Sequence, residues 1–222
     1  MENMTEQQIP VFMARLVEFQ KLFSQLSKED AQWVIQNTSE AISLFDKVVK
    51  ERDKSILQLL EPVGTIDIPA TTEKFVAKNH FGVDITEEAE IKISYLGDNF
   101  RFWFLNKSEE PFPGSTLRYQ TLKKGSVDGP IIAEIELDGK AKAEITLTEL
   151  RLLLKKQPKG ENGVLLTDGY ANIFYIRDID AVLRAVFVRW DGPGWYLYAY
   201  SVEYPAEWTA GIRVFSRNSC DS

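Results

Sequence analysis

The N-terminal part of the chain repeats its apolar residues at helical spacing. Ile9, Phe12, Met13, Leu16, Phe19, Phe23 and Leu26 fall three or four positions apart, as one face of an amphipathic helix requires. Thr5 with Gln8 resembles a capping box, and Pro10 stands where a first turn tolerates it. Ser27, followed by Glu29 and Asp30, supplies a second helix start with acids where the helix dipole favours them. Ala31, Val34, Ile35, Thr38, Ile42, Phe45 and Val49 then share a face, and the pattern runs on through Ile56 and Leu60 until Pro62. Residues 1–60 therefore predict a helical hairpin. One hairpin cannot bury two apolar stripes, so it must pack on the rest of the chain, on a second copy or on a partner.

Residues 61–72 carry two prolines and no helical period, and read as a linker to an α+β domain over 73–222. Residues 72–81 predict a short helix. The period then changes to two. Ile91, Ile93 and Tyr95 alternate with polar residues, Gly97-Asp98-Asn99 reads as a turn, and Phe100, Phe102 and Phe104 continue the alternation as the second strand of a hairpin. Ser115–Lys123 predicts a further strand. Asp128-Gly129-Pro130 reads as a helix start with Asp128 as the cap, and Thr146 with Glu149 forms a capping box before Leu150, Leu153 and Leu154.

Residues 169–216 predict a C-terminal β-meander. Asp191-Gly192-Pro193-Gly194 is turn chemistry, and pairing Trp190 with Trp195 sets the register. Val188 then faces Leu197 and Val186 faces Ala199 on a core face. The other face puts Arg189 by Tyr196, Phe187 by Tyr198 and Ala185 by Tyr200. A strand apolar on both faces is covered on both. Two occupants suit the tyrosine face: a packed helix, or a groove in which Tyr196, Tyr198, Tyr200, Trp208 and Arg189 contact a ligand or protein. The expected fold is α+β: an N-terminal helical hairpin, then a mostly antiparallel, strongly curved sheet of about five to seven strands with helices packed on it.

Composition narrows the function classes. The net charge of -7 argues against a nucleic-acid partner, which needs a basic face. No stretch approaches the ~20 apolar residues that span a bilayer, and the N-terminus lacks a signal-peptide pattern, so no membrane association and a cytoplasmic location are expected. Cys220 is the one cysteine and His80 the one histidine, which leaves no cysteine- or histidine-rich metal site and no ready nucleophile–base pair. His80 reads as a capping or packing residue. Glu87, Glu88 and Glu90 read as a solvated charge run. Asp178 and Asp180 have the alternate spacing of a calcium loop without its glycine and distal glutamate. The Gly125–Pro130 segment reads as a turn and helix start, not a phosphate loop. No catalytic residue, metal or cofactor is assigned.

The phrases TTEKFVAKNHF, KISYLGDNF, SVDGPIIAE, GYANIFYIRD, WYLYAYSVEYPAEW and RVFSRNS resemble a widespread family of bacterial proteins of unknown function. The resemblance covers nearly the whole chain, AQWVIQNTSEAISLF included. It implies a compact bacterial protein without an enzyme signature, and no activity, ligand or catalytic residue. One departure has a physical meaning: related sequences place a glycine pair at the Asp180-Ala181 turn, and alanine tolerates positive φ poorly. The function expected is a non-enzymatic interaction or scaffold module, self-associating through its N-terminal helices or binding a protein partner. The alternatives are a small-ligand domain using the tyrosine face and a carboxylate-based hydrolase or transferase.

Overall fold

A computed structural model describes residues 27–44, 59–137 and 139–218. The chain divides into two compact units, 1–55 and 56–222. In the first, α1 spans Lys28–Gln36, and its Ser27 cap accepts the N–H of Asp30 at 3.0 Å. Asn37 interrupts the helix, which resumes over 38–44. The side chain of Asn37 donates to the Trp33 carbonyl at 2.9 Å, competing for a helix acceptor. The rest of the expected hairpin, including the first helix and residues 45–58, lies outside the described residues.

The second unit is an open mixed sheet with helices on both faces. Its strands are β1 (Leu60–Ile68), β3 (Ile93–Leu96), β5 (Ser115–Leu122), β6 (Ala141–Lys142), β7 (Glu144–Ile145), β8 (Asn172–Arg177), β9 (Leu183–Asp191), β10 (Gly194–Ser201) and β11 (Arg213–Asn218). The spatial order is β1-β5-β11-β8-β9-β10-β3, with β6 beside β11 and β7 beside β8. Most neighbours are antiparallel; β11/β8, β7/β8 and β10/β3 are parallel. A separate ribbon pairs β2 (Phe75–Val76) with β4 (Ser108–Glu109).

One face of the sheet carries Phe174, Ile176, Val186, Val188, Trp195, Leu197 and Phe215. They pack against Phe100 and Phe104 of α2 (Asp98–Phe104) and Leu147, Leu150 and Leu154 of α4 (Leu147–Lys156). The other face carries Ile173, Tyr175, Ala185 and Val214, packed on Ile131 and Ile135 of α3 (Asp128–Glu136). The strongly curved sheet expected from the sequence is therefore corrected: the sheet is α+β and mostly antiparallel but not strongly curled. Curling serves to close a core over one face; here α2 and α4 lie on one face and α3 on part of the other.

Residues 61–72 are not a connector. They form most of β1, which pairs with β5 from Leu60↔Leu122 to Ile68↔Ser115. The N–H groups of Leu59 and Leu60 donate to the Glu134 carboxylate at 2.8 and 2.9 Å and fasten the strand start to α3. Of the two prolines that suggested a linker, Pro62 fits an edge strand, at a register shift where a missing N–H costs no ladder bond, and Pro69 follows the strand's last residue, Ile68. Asp98–Phe104 is also a helix and not a strand. Phe100 and Phe104, four apart, are buried, and Phe102 is 78% exposed, so the helical period wins over the alternating one. In place of the short helix over 72–81 there is one turn of 3₁₀-helix at Ala77–Asn79.

The capping box at Thr146 is formed as read, with Glu149 answering its backbone N–H at 2.7 Å. Glu149 is fully buried and also accepts from Ser115 at 2.6 Å and from Arg217, so one carboxylate ties α4 to β5 and β11. The hairpin register is the one the sequence sets, Trp190↔Trp195 through Ala185↔Tyr200, but the meander stops at β10: β11 crosses back to lie between β5 and β8, parallel to β8. Gly192 takes φ +65° in its two-residue turn, the positive value such a hairpin needs.

Candidate functional site

β10 alternates between the faces of the sheet. Trp195, Leu197 and Ala199 enter the core, while Tyr196, Tyr198 and Tyr200 stand half-buried on the opposite side. Register brings other rings to them. Tyr95 pairs with Tyr196 across the parallel β3/β10 ladder, and Phe187 of β9 pairs with Tyr198. Tyr204 and Trp208 return from the β10–β11 connection.

The result is a continuous aromatic ladder. Tyr95 lies 5.5 Å from Tyr196 and 5.2 Å from Tyr198 between ring centroids. Tyr198 stacks on Phe187 at 4.8 Å and 4°. Phe187 stacks on Tyr200 at 5.6 Å, and Tyr200 on Tyr204 at 5.4 Å. Trp208 meets Phe187 edge-on at 5.6 Å. Arg189 lies 5.6 Å from the centre of the Tyr196 ring and donates to Asp191 at 3.0 Å. Burial raises the pKa of the Tyr198 phenol, the neighbouring phenols add to this, and Arg189 opposes it, so the hydroxyl stays a neutral donor. The rings spend their faces on one another. Tyr95 and Tyr204 are the most open, at 39% and 52% exposed.

The five residues singled out by sequence are thus neighbours: Tyr196, Tyr198, Tyr200, Trp208 and Arg189 belong to one surface. Sequence reasoning missed three contributors. Tyr95 and Tyr204 join through non-local pairing and a loop, which local pattern does not reveal. Asp128 is the third. It was expected to cap α3, but Val127 occupies the cap position and Asp128 is the first helical residue, 2% exposed. One of its oxygens accepts from the Tyr175 hydroxyl at 2.8 Å and the Trp208 indole N–H at 2.7 Å. Burial raises the Asp128 pKa, with both hydrogen bonds pulling against it. Asp128 therefore orients Trp208, the ring that closes the ladder.

Beside Trp208 the surface dips into a groove of about 490 Å³, lined by Asp168, Tyr170, Phe187, Arg189, Glu207 and Trp208. The other chemical candidates resolve into structural roles. Asp178 is buried; burial works to raise its pKa, but Arg184 at 2.7 Å and the N–H groups of Asp180 and Val182, both at 2.9 Å, bring it below the usual carboxylate value. Both of its oxygens are engaged by protein donors, the Arg184 guanidinium among them. His80 stacks on Phe75 at 4.7 Å. Glu87 is no free charge: it pairs with Lys92 and Lys159. Glu90 pairs with Arg151 and Lys155. Among the described residues no three His, Cys, Asp or Glu side chains converge as a metal site, and no helix is long and apolar enough to cross a membrane.

Comparison of the chain with protein-family models, with curated proteins and with solved structures gave no match.

Proposed function

We propose that this chain is a non-enzymatic interaction module whose tyrosine ladder is the surface that meets a protein partner. The observation behind the reading is the ladder itself: contiguous rings on one sheet face, stacked on one another and half-buried. Tyrosine suits such contacts because it offers large rigid area and a hydrogen bond at low entropic cost. A saccharide would need free ring faces to stack on, and here successive faces are occupied. The resemblance to bacterial proteins without an enzyme signature is compatible with this reading. Self-association through the N-terminal helices remains part of it, since α1 buries none of its residues.

Site-specific photo-cross-linking tests the proposal. A photoreactive phenylalanine analogue replaces Tyr95 or Tyr204 in cells, with Val83, 51% exposed, as the control position. The expected result is one discrete adduct from both ladder positions and none from the control. Equal labelling at all three positions, or none at the ladder, contradicts it.

The groove beside Trp208 supports a second reading, a small ligand held between Arg189 and Trp208. Its volume lies within the usual range for ligand pockets, roughly 300–1,000 Å³. That reading expects saturable quenching of Trp208 fluorescence by a small molecule, lost in Trp208→Phe.

A further inference from the structure

Arg151 is a buried cation whose bonding is unfinished. It lies on α4 at 6% exposure, and Nη2 donates to Glu90. Nε and Nη1 are buried and have no hydrogen-bond partner among the described residues. A charged donor taken out of water without an acceptor is costly, and a guanidinium is built to hold a planar oxyanion through two of its N–H groups. Arg151 also lines a cavity of about 360 Å³, in which Thr148, Arg151, Leu152 and Lys155 form one face of α4.

Phe75 and His80, stacked in parallel at 4.7 Å and 9°, also line it, with Glu73 and Lys74 nearby in the chain. Lys155 stands at the side and pairs with Glu90 at 2.6 Å. Glu90, whose side chain is 58% exposed, is the one carboxylate that Arg151 already holds. Burial lowers the His80 pKa; Arg151 and Lys155 lower it further, and Glu90 opposes them. The His80 ring is therefore held toward its neutral form, first by burial and then by Arg151.

We propose that this cavity binds a small organic carboxylate, with Arg151 as the anion-binding residue and the Phe75–His80 stack as the wall for the ligand's apolar part. A carboxylate fits better than a phosphate because the acceptor already on Arg151 is a carboxylate, the lining lysines Lys74 and Lys155 are paired with Glu110 and Glu90, and Glu73 adds a further negative charge that a doubly charged anion would meet. Glu90 is then an internal stand-in that swings outward when the ligand arrives.

The lone histidine of the chain makes the test direct, since its ring gives an unambiguous NMR signal. The full chain is titrated with benzoate and separately with inorganic phosphate. The expected result is a saturable shift of the His80 ring resonances with benzoate and an increase in the His80 pKa, because the bound anion offsets Arg151 and Lys155. Arg151→Gln should weaken benzoate binding by roughly tenfold or more. Should Arg151→Gln not fold, Glu90→Gln carries the test: its side chain is largely in water, and removing the internal competitor should tighten benzoate severalfold. No saturable shift with benzoate, a response to phosphate alone, or benzoate affinity unchanged in Glu90→Gln would overturn the proposal.

Discussion

Asp128 and Trp208 show how one buried side chain sets the geometry of a half-buried one. Asp128→Ala leaves the Trp208 indole and the Tyr175 hydroxyl without their shared acceptor, and should cost about 1–3 kcal/mol of unfolding free energy. Asp128→Asn keeps an acceptor oxygen and discards the buried charge. Burial raises the folded pKa of Asp128 above its unfolded value, so the folded state binds the proton more tightly. The wild type therefore loses stability as pH rises from the ordinary aspartate value to the raised one, and the loss stays at neutral pH. Denaturant titrations at acid and neutral pH should show the Asp128→Asn advantage only at the higher pH. Ala181 gives a second residue-scale case. Its φ is +61°, which alanine pays for and glycine does not. Ala181→Gly should raise stability by about 1 kcal/mol, read as a shift of the denaturation midpoint. The turn conflict was legible in the sequence. The burial of Asp128 was not, because no local pattern says which carboxylate a distant tyrosine and tryptophan will find.

At the scale of elements, local signals that carry a mechanism were readable. The Thr146 capping box, the Ser27 cap and the register of the Trp190–Trp195 hairpin all follow from short-range chemistry. Segments with two valid periods were not. Phe100, Phe102 and Phe104 alternate as a strand would, yet Phe100 and Phe104 also sit one helical turn apart, and the core beneath α2 decides. Pro62 and Pro69 suggested a linker because an edge strand and its end tolerate proline as a connector does. The β3/β10 contact makes a sharp prediction. A Cβ on Gly194 would lie 2.8 Å from the Lys92 carbonyl oxygen and 2.9 Å from the Ser94 nitrogen, both backbone atoms. Gly194→Ala should therefore push β3 from the sheet and cost about 1–3 kcal/mol. Amide hydrogen exchange should accelerate across Ile93–Leu96 and leave β8 unchanged. Uniform acceleration would place the strain elsewhere.

At the scale of the molecule, the aromatic surface is a product of topology. Its rings come from β3, β9, β10 and the loop that follows, and β3 pairs with β10 in parallel across about a hundred residues, as the Ser94–Trp195 contact marks. Hairpin logic reached Phe187 and the three tyrosines of β10; only the folded sheet adds Tyr95 and Tyr204. The same sheet keeps the opposite side of β10 in the core, so the ladder rests on a rigid base whose rings need little further ordering to bind. The most direct test of this account is the affinity of the partner captured by cross-linking, measured by calorimetry against purified variants. Tyr200→Ala and Tyr204→Ala should each weaken binding by about 2 kcal/mol, the loss typical of a tyrosine at the centre of a contact, with Val83→Ala unchanged. Equal affinity for all three variants and the wild type would contradict the tyrosine ladder as the contact surface.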